Sequence, residues 1–174
     1  MPDAVIRALT SDEAERRLPE LAAILTDAVA GGASVNFLAD FTPADAEAFW
    51  RRQLAGFAGG SQRLFAAEEG GRLVGTVILF FAQQPNQPHR GEIGKMLVLR
   101  DRRGRGIGRK LLTAAEDAAR EAGKTLLVLD TAEGSAGERL YRACGWTAFG
   151  MVPGYSLTTD GRLENCVFFY KAIA

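Results

Sequence analysis

The chain has 174 residues, a length suited to one domain whose folding hides roughly two thirds of the surface its unfolded form exposes. Hydrophobic residues make up 47% and charged residues 24%, which excludes disordered and collagen-like classes. With 21 basic against 21 acidic residues, a uniformly basic nucleic-acid binder is excluded too, though a local basic patch is not.

Residues 3–9 read as a short strand. Thr10 and Glu13 then stand at capping-box spacing, where hydroxyl and carboxylate satisfy the free amides of a helix start. Leu18, Leu21, Ala22, Leu25 and Val29 recur at helical spacing, predicting one helix over 11–30 that stops at Gly31 and Gly32. Thr42 followed by Pro43 starts a second helix, whose stripe is Ala46, Phe49, Trp50, Leu54 and Phe57 and whose end is Gly59 and Gly60. The period then changes: 63–67 and 73–81 read as a β-hairpin turning at 69–71, and 83–90, with two prolines, as a loop.

A strand over 93–99 is followed by a helix bearing Ile107, Leu111, Leu112, Ala115, Ala118, Ala119 and Ala122, closed by Gly123. Residues 125–129 form a nearly all-apolar strand of the kind covered on both faces. Ser135 and Glu138 cap a short helix ending at Gly145, and late strands near 147–152 and 164–170 flank turns at Pro153-Gly154 and Asp160-Gly161. The fold class expected is α/β: a mixed central sheet of about seven strands with helices on both faces, in a single domain over 1–174.

Two cysteines and the single histidine, His89, are too few for a zinc site of the Cys/His kind, so no metal is expected. The first nine residues mix acid and base with no apolar signal region behind them. The longest apolar stretch, 74–82, is short and interrupted, so a cytoplasmic address, away from membranes, is expected.

The most informative segment is Arg100-Asp101-Arg102-Arg103-Gly104-Arg105-Gly106-Ile107-Gly108-Arg109-Lys110, between a predicted strand and a predicted helix. Alternate glycines admit close backbone approach, a helix start adds free amide donors, and the arginines add charge; together these suit a phosphate. The Walker pattern fails for want of a glycine before Lys110, and the dinucleotide fingerprint fails because its third glycine falls on Arg109 or Leu111. A merely solvated arginine-rich turn is the plainer alternative. Residues 95–110 hold seven basic residues and one acidic, so the neutral chain divides into a basic stretch and an acidic remainder.

Arg103-Gly104-Arg105-Gly106-Ile107-Gly108 resembles the R/Q-x-x-G-x-G/A signature of the GCN5-related N-acetyltransferase (GNAT) superfamily, and the element order resembles that fold along nearly the whole chain. The strings Glu92-Ile93-Gly94-Lys95-Met96-Leu97-Val98, Leu129-Asp130-Thr131, Leu140-Tyr141-Arg142 and Gly145-Trp146 are similar to the tabtoxin-resistance type of acetyltransferase. The resemblance implies acetyl-CoA as co-substrate, its pyrophosphate gripped by Arg103, Gly104, Arg105, Gly106, Ile107, Gly108, Arg109 and Lys110. It also implies a strand bulge near Met96 and Leu97 facing the acetyl carbonyl, with Leu97, Val98 and Leu99 along the pantetheine arm.

Acyl transfer to an amine needs a base, an oxyanion site and a proton for the leaving thiolate. Glu92 starts its strand at the expected sheet centre, and the resemblance implies a general base there; a surface carboxylate after Arg90-Gly91 is the alternative. Asp130 ends the apolar strand, where it serves as a second base, as a holder of the substrate ammonium, or as a turn residue. For Tyr141, turned partly off the core, the resemblance implies the general acid, against simple aromatic packing. Cys144 and Cys166 read as core residues and His89 as a loop residue. Acceptor specificity is assigned to Asn36 and Phe37 in loop 31–41 and to Tyr155 and Asp160 in the late segment.

The acceptor expected is a small, cationic, amino-acid-like or antibiotic-like amine, reached by direct transfer in a ternary complex; the subgroup resemblance brings antibiotic resistance within its range. A protein amine acceptor, or an acyl-CoA sensor without turnover, are the alternatives. Nucleic acid is disfavoured because no aromatic residue interleaves with the arginines, and the superfamily's habit of pairing allows a homodimer.

Overall fold

A computed structural model describes residues 3–173; Met1, Pro2 and Ala174, the ends of the expected domain span, lie outside the described residues. The elements are β1 (Val5–Leu9), α1 (Ser11–Arg16), α2 (Leu18–Ala30), α3 (Pro43–Ala58), β2 (Gln62–Glu69), β3 (Arg72–Phe81), β4 (Arg90–Val98), α4 (Ile107–Glu121), β5 (Leu126–Ala132), α5 (Ala136–Ala143), β6 (Thr147–Leu157) and β7 (Leu163–Ala172), with a 3₁₀ turn at Arg100–Arg102. The seven strands form one sheet in the order β1-β2-β3-β4-β5-β7-β6, antiparallel except for the β4–β5 pair.

Local chemistry explains most boundaries. Thr10 and Glu13 make the full capping box: the Glu13 amide donates to Thr10 Oγ1 (3.2 Å) and the Thr10 amide to Glu13 Oε2 (2.9 Å). Thr42 and Asp45 repeat it at α3. At α5 only half the box forms, because the Glu138 carboxylate accepts from the Gly134 amide instead of from Ser135.

The single helix expected over 11–30 is two helices meeting at Arg17. Pro19 has no N–H to give to the carbonyl four residues back, so the chain stops and restarts with proline in the first turn of α2. β4 starts at Arg90, so Glu92 lies inside the strand and not at its start. β5 runs on to Ala132, which places Asp130 within it too. Only Leu127, Leu129 and Ala132 of β5 are buried, so the strand is not covered on both faces as its apolar sequence suggested. Pro153-Gly154 is absorbed in β6 as an irregularity, where the register with β7 shifts between Val152 and Ser156, and is not a turn.

Two cores flank the sheet. On one face Leu111, Leu112, Ala115 and Ala119 of α4 pack on Val77, Leu79, Ile93, Leu127, Leu129 and Phe169. On the other, α1 to α3 cover Leu64, Ala66, Ile78 and Leu97; no residue of β5, β6 or β7 joins this second core. Trp50 anchors it, fully buried, its Nε1–H donating to the Leu21 carbonyl at 2.9 Å. Inside the first core the buried Glu116 accepts from Trp146 Nε1 (2.9 Å) and pairs with Lys171 Nζ (2.7 Å), so its charge is compensated.

Candidate active site

β4 and β5 pair only from Arg90–Leu126 to Glu92–Val128, and a cleft of about 850 Å³ has both strands in its walls. The wall on the β4 side is a bulge. Thr76 faces Leu97 while Ile78 faces Gly94, so Lys95 and Met96 together stand opposite one β3 residue. The buried Thr76 hydroxyl pins the bulge by donating to the Lys95 carbonyl (3.0 Å), and Lys95 itself takes φ +47°. A backbone released from its ladder in this way has groups free for a ligand, and Met96, Leu97 and Val98 all line the cleft.

One end of the cleft is the start of α4. Gly104 (φ +75°) and the N-cap Gly106 (φ +77°, ψ 0°) hold left-handed conformations that a side chain disfavours, and no side chain caps the helix. The amides of its first turn therefore remain available beside Arg103, Gly108 and Arg109, all at the cleft. Arg102, Gly104, Gly106 and Ile107 line the cleft as well, whereas Arg105 and Lys110 are turned away. Arg105 does not line the cleft: it pairs with Glu69 at 2.9 Å, and Arg102 shares that carboxylate at 3.2 Å. Lys110 is turned to Asp3 (2.7 Å), and Leu99 packs against both cores. Glu69, read from sequence as a turn residue, is thus a tether that ties the arginine loop to β2.

Glu92, Asp130 and Tyr141 come together in this one cleft, from β4, β5 and α5. Burial, followed by the Asp130 charge, pushes the Glu92 carboxyl above its ordinary value, with Arg90 and Lys95 opposing. Tyr141 is not turned off the core; it is only 6% exposed, its ring 6.0 Å from those of Trp146 and Phe169, yet it borders the cleft. Burial and the Asp130 charge raise its phenol above the usual range, so the proton stays on. Cys166 is buried, as expected of a core cysteine, and lies beside the site. Its thiol donates to Asp130 Oδ2 (3.4 Å) and is pushed up to about 12 by burial and that carboxylate, so it stays a thiol.

Of the acceptor residues expected, Asn36 lines the cleft. Phe37 does not: it stacks on Phe41 (centroids 4.0 Å apart) and meets Phe49 edge-on at 5.6 Å. Tyr155 is exposed and packs edge-on against Phe168 at 5.0 Å. Asp160 is held by Thr158 and Arg162 at the tip of the β6–β7 hairpin. Lys95 and Glu164 line the cleft without having been singled out in the sequence. For Lys95 the signal was a charge inside an otherwise apolar strand pattern; Glu164, at the start of its expected strand, carried none.

The sequence matches the family described as the Acetyltransferase (GNAT) family over residues 27–146. Among solved structures, a ribosomal-protein-alanine N-acetyltransferase from Brucella melitensis is 28% identical, with TM-score 0.79 over 97% of this chain and 99% of that one. yncA from Salmonella typhimurium, whose structure carries its cofactor acetyl-CoA, is 21% identical (TM-score 0.78; 99% and 95% covered). An N-acetyltransferase from Staphylococcus aureus Mu50 shares the fold at 19% identity (TM-score 0.82; 99% and 100% covered).

Proposed function

Because the chain belongs to the GNAT acetyltransferase family, and so uses acetyl-CoA, we propose that it acetylates the amine of a small molecule by direct transfer within a ternary complex. When bound, acetyl-CoA supplies an acyl group already activated as a thioester. The residues present suit it: free amides at a glycine-capped helix start with Arg103 and Arg109 beside them for the pyrophosphate, and Met96, Leu97 and Val98 for the pantetheine arm.

Glu92 takes the proton from the attacking amine, directly or through water, and its raised carboxyl makes it a better base than an ordinary glutamate. Asp130 keeps that carboxyl raised and faces the same amine. Tyr141, protonated at any working pH, gives a proton or hydrogen bond to the leaving sulfur. With the Cys166 thiol protonated, its transfer through an acyl-cysteine has no support.

The observation carrying the small-molecule reading is a closed groove. Loop 31–41 reaches the late hairpin through the Ala39 amide, which donates to the Thr159 carbonyl at 2.9 Å, and through Ser34 Oγ, 3.4 Å from Ser156 Oγ. A polypeptide acceptor needs that passage open. Acetylation of a protein amine is the second reading, favoured by the name of the Brucella relative. A panel of amino acids and β-lactam-like amines, assayed for coenzyme A release, tests the choice: turnover with several supports the small molecule. Silence with acetyl-CoA binding intact refutes it and points to a protein amine or a sensor.

The cytoplasmic address remains part of the proposal; among the described residues both cysteines are unpaired and no helix is long and apolar enough to cross a membrane.

A further inference from the structure

Two charged groups of the cleft have no part in moving the acetyl group. Lys95 leaves β4 at the bulge, and bulges re-aim the side chains they carry. Its Nζ lies 5.2 Å from the Phe49 ring centre and 5.8 Å from that of Phe37. The rings hold the charge but accept no strong hydrogen bond, and among the described residues Nζ has neither an ion pair nor a hydrogen bond. Lys110 and Lys171, by contrast, each reach a carboxylate at 2.7 Å. Burial depresses the Lys95 ammonium, with Asp130 and Glu92 opposing. Lys95 is half-buried, its ammonium has no protein acceptor among the described residues, and it borders the cleft, from which an acceptor can come.

Glu164 of β7 lines the same cleft, on the strand face that carries Cys166. Its Oε2 is buried and, among the described residues, has no hydrogen-bond partner. The cleft thus holds an unpartnered cation from β4 and an unpartnered carboxylate oxygen from β7, on strands separated in the sheet by β5. An occupant matching both carries an anionic group as well as its amine.

We infer that Lys95 determines acceptor specificity by binding an oxyanion of the substrate, a carboxylate or a group of like charge, while Glu164 accepts an N–H from the amine end. This rests on the small-molecule reading and narrows it to acceptors with an anion beside the amine. Phe37, expected to touch substrate, acts one step back: with Phe49 of the α3 stripe it holds the lysine that does.

The test pairs a panel of L-amino acids with their primary amides, so that each pair differs by the anion. Wild-type kcat/KM favours the acid by about ten- to a hundredfold, the range of a hydrogen bond between charged groups. K95M brings the ratio close to one, and K95R restores part of it. Calorimetric Kd values for both members on the protein saturated with coenzyme A follow the same ratio. E164Q weakens both members alike. A wild-type ratio near one, or a ratio unmoved by K95M, overturns the inference while leaving the small-molecule reading in place. If no member is acetylated or bound although acetyl-CoA binds, the small-molecule reading falls and the inference with it.

Discussion

Glu92→Gln separates catalysis from folding. The Glu92 side chain is 52% exposed and, among the described residues, its one ion pair is with Arg90, at 3.8 Å, so an isosteric amide removes little that holds the fold together. Loss of a positioned base lowers kcat by about 10²- to 10⁴-fold, or about 3–5 kcal/mol of barrier. The effect on stability has the opposite sign. A carboxyl held above its unfolded value favours the protonated form in the fold; that contribution is complete below the unfolded pKa and is lost as pH rises through the folded one. At neutral pH the ionised Glu92 is therefore a burden that Gln removes. E92Q should melt at the same temperature as wild type or higher near pH 7, with the difference vanishing near pH 4. Coenzyme A release with a good amine and melting scans at both pH values provide the check. Unchanged kcat would refute the role, and a large drop in Tm the electrostatics.

Asp130→Asn removes the second cause of the raised Glu92 carboxyl, so the acid limb of kcat/KM against pH moves to lower pH; a limb that stays in place dissociates the two residues. Tyr141→Phe keeps the packing against Trp146 and Phe169, so kcat falls about tenfold or more while Tm barely moves; Tyr141→Ala loses the ring as well, at about 3–5 kcal/mol, and unfolding in denaturant distinguishes the two. Arg103→Gln with Arg109→Gln raises KM for acetyl-CoA and flattens its salt dependence. Arg105→Gln does so less, because Arg105 is committed to Glu69; kinetics at two ionic strengths decide. Trp50→Ala, at the centre of the second core, costs about 3–5 kcal/mol and lowers Tm by about 6–20 °C by calorimetry.

Much of the architecture was written in local pattern. Capping residues at Thr10, Thr42 and Ser135, glycines at helix ends and two kinds of hydrophobic period give seven strands and the order of the helices. The phosphate loop was legible for the same reason: its glycines, arginines and helix start are contiguous, and contiguous chemistry is visible along a chain. Pro19 was legible in principle, since a missing N–H breaks a helix whatever surrounds it. The ends of β4 and β5 were not, because a strand continues for as long as a neighbour supplies hydrogen bonds, and neighbours are a tertiary matter.

Which members of the loop face the cleft was decided only by the fold. The sequence has an arginine at 103, 105 and 109 alike; Glu69, more than thirty residues earlier, takes one of them away. Tyr155 and Asp160 looked equivalent to Asn36 as acceptor residues until the hairpin placed them on an exposed ring and at its tip. Lys95 and Glu164, in turn, are separated by 69 positions and meet one cleft because β4 and β5 part after three paired residues. The sequence by itself determined the family, the sheet and the basic loop, all set by near neighbours in the chain. The tertiary structure decided which charges remain unpaired in the cleft, since pairing depends on distance in space, and distance in space is what folding fixes.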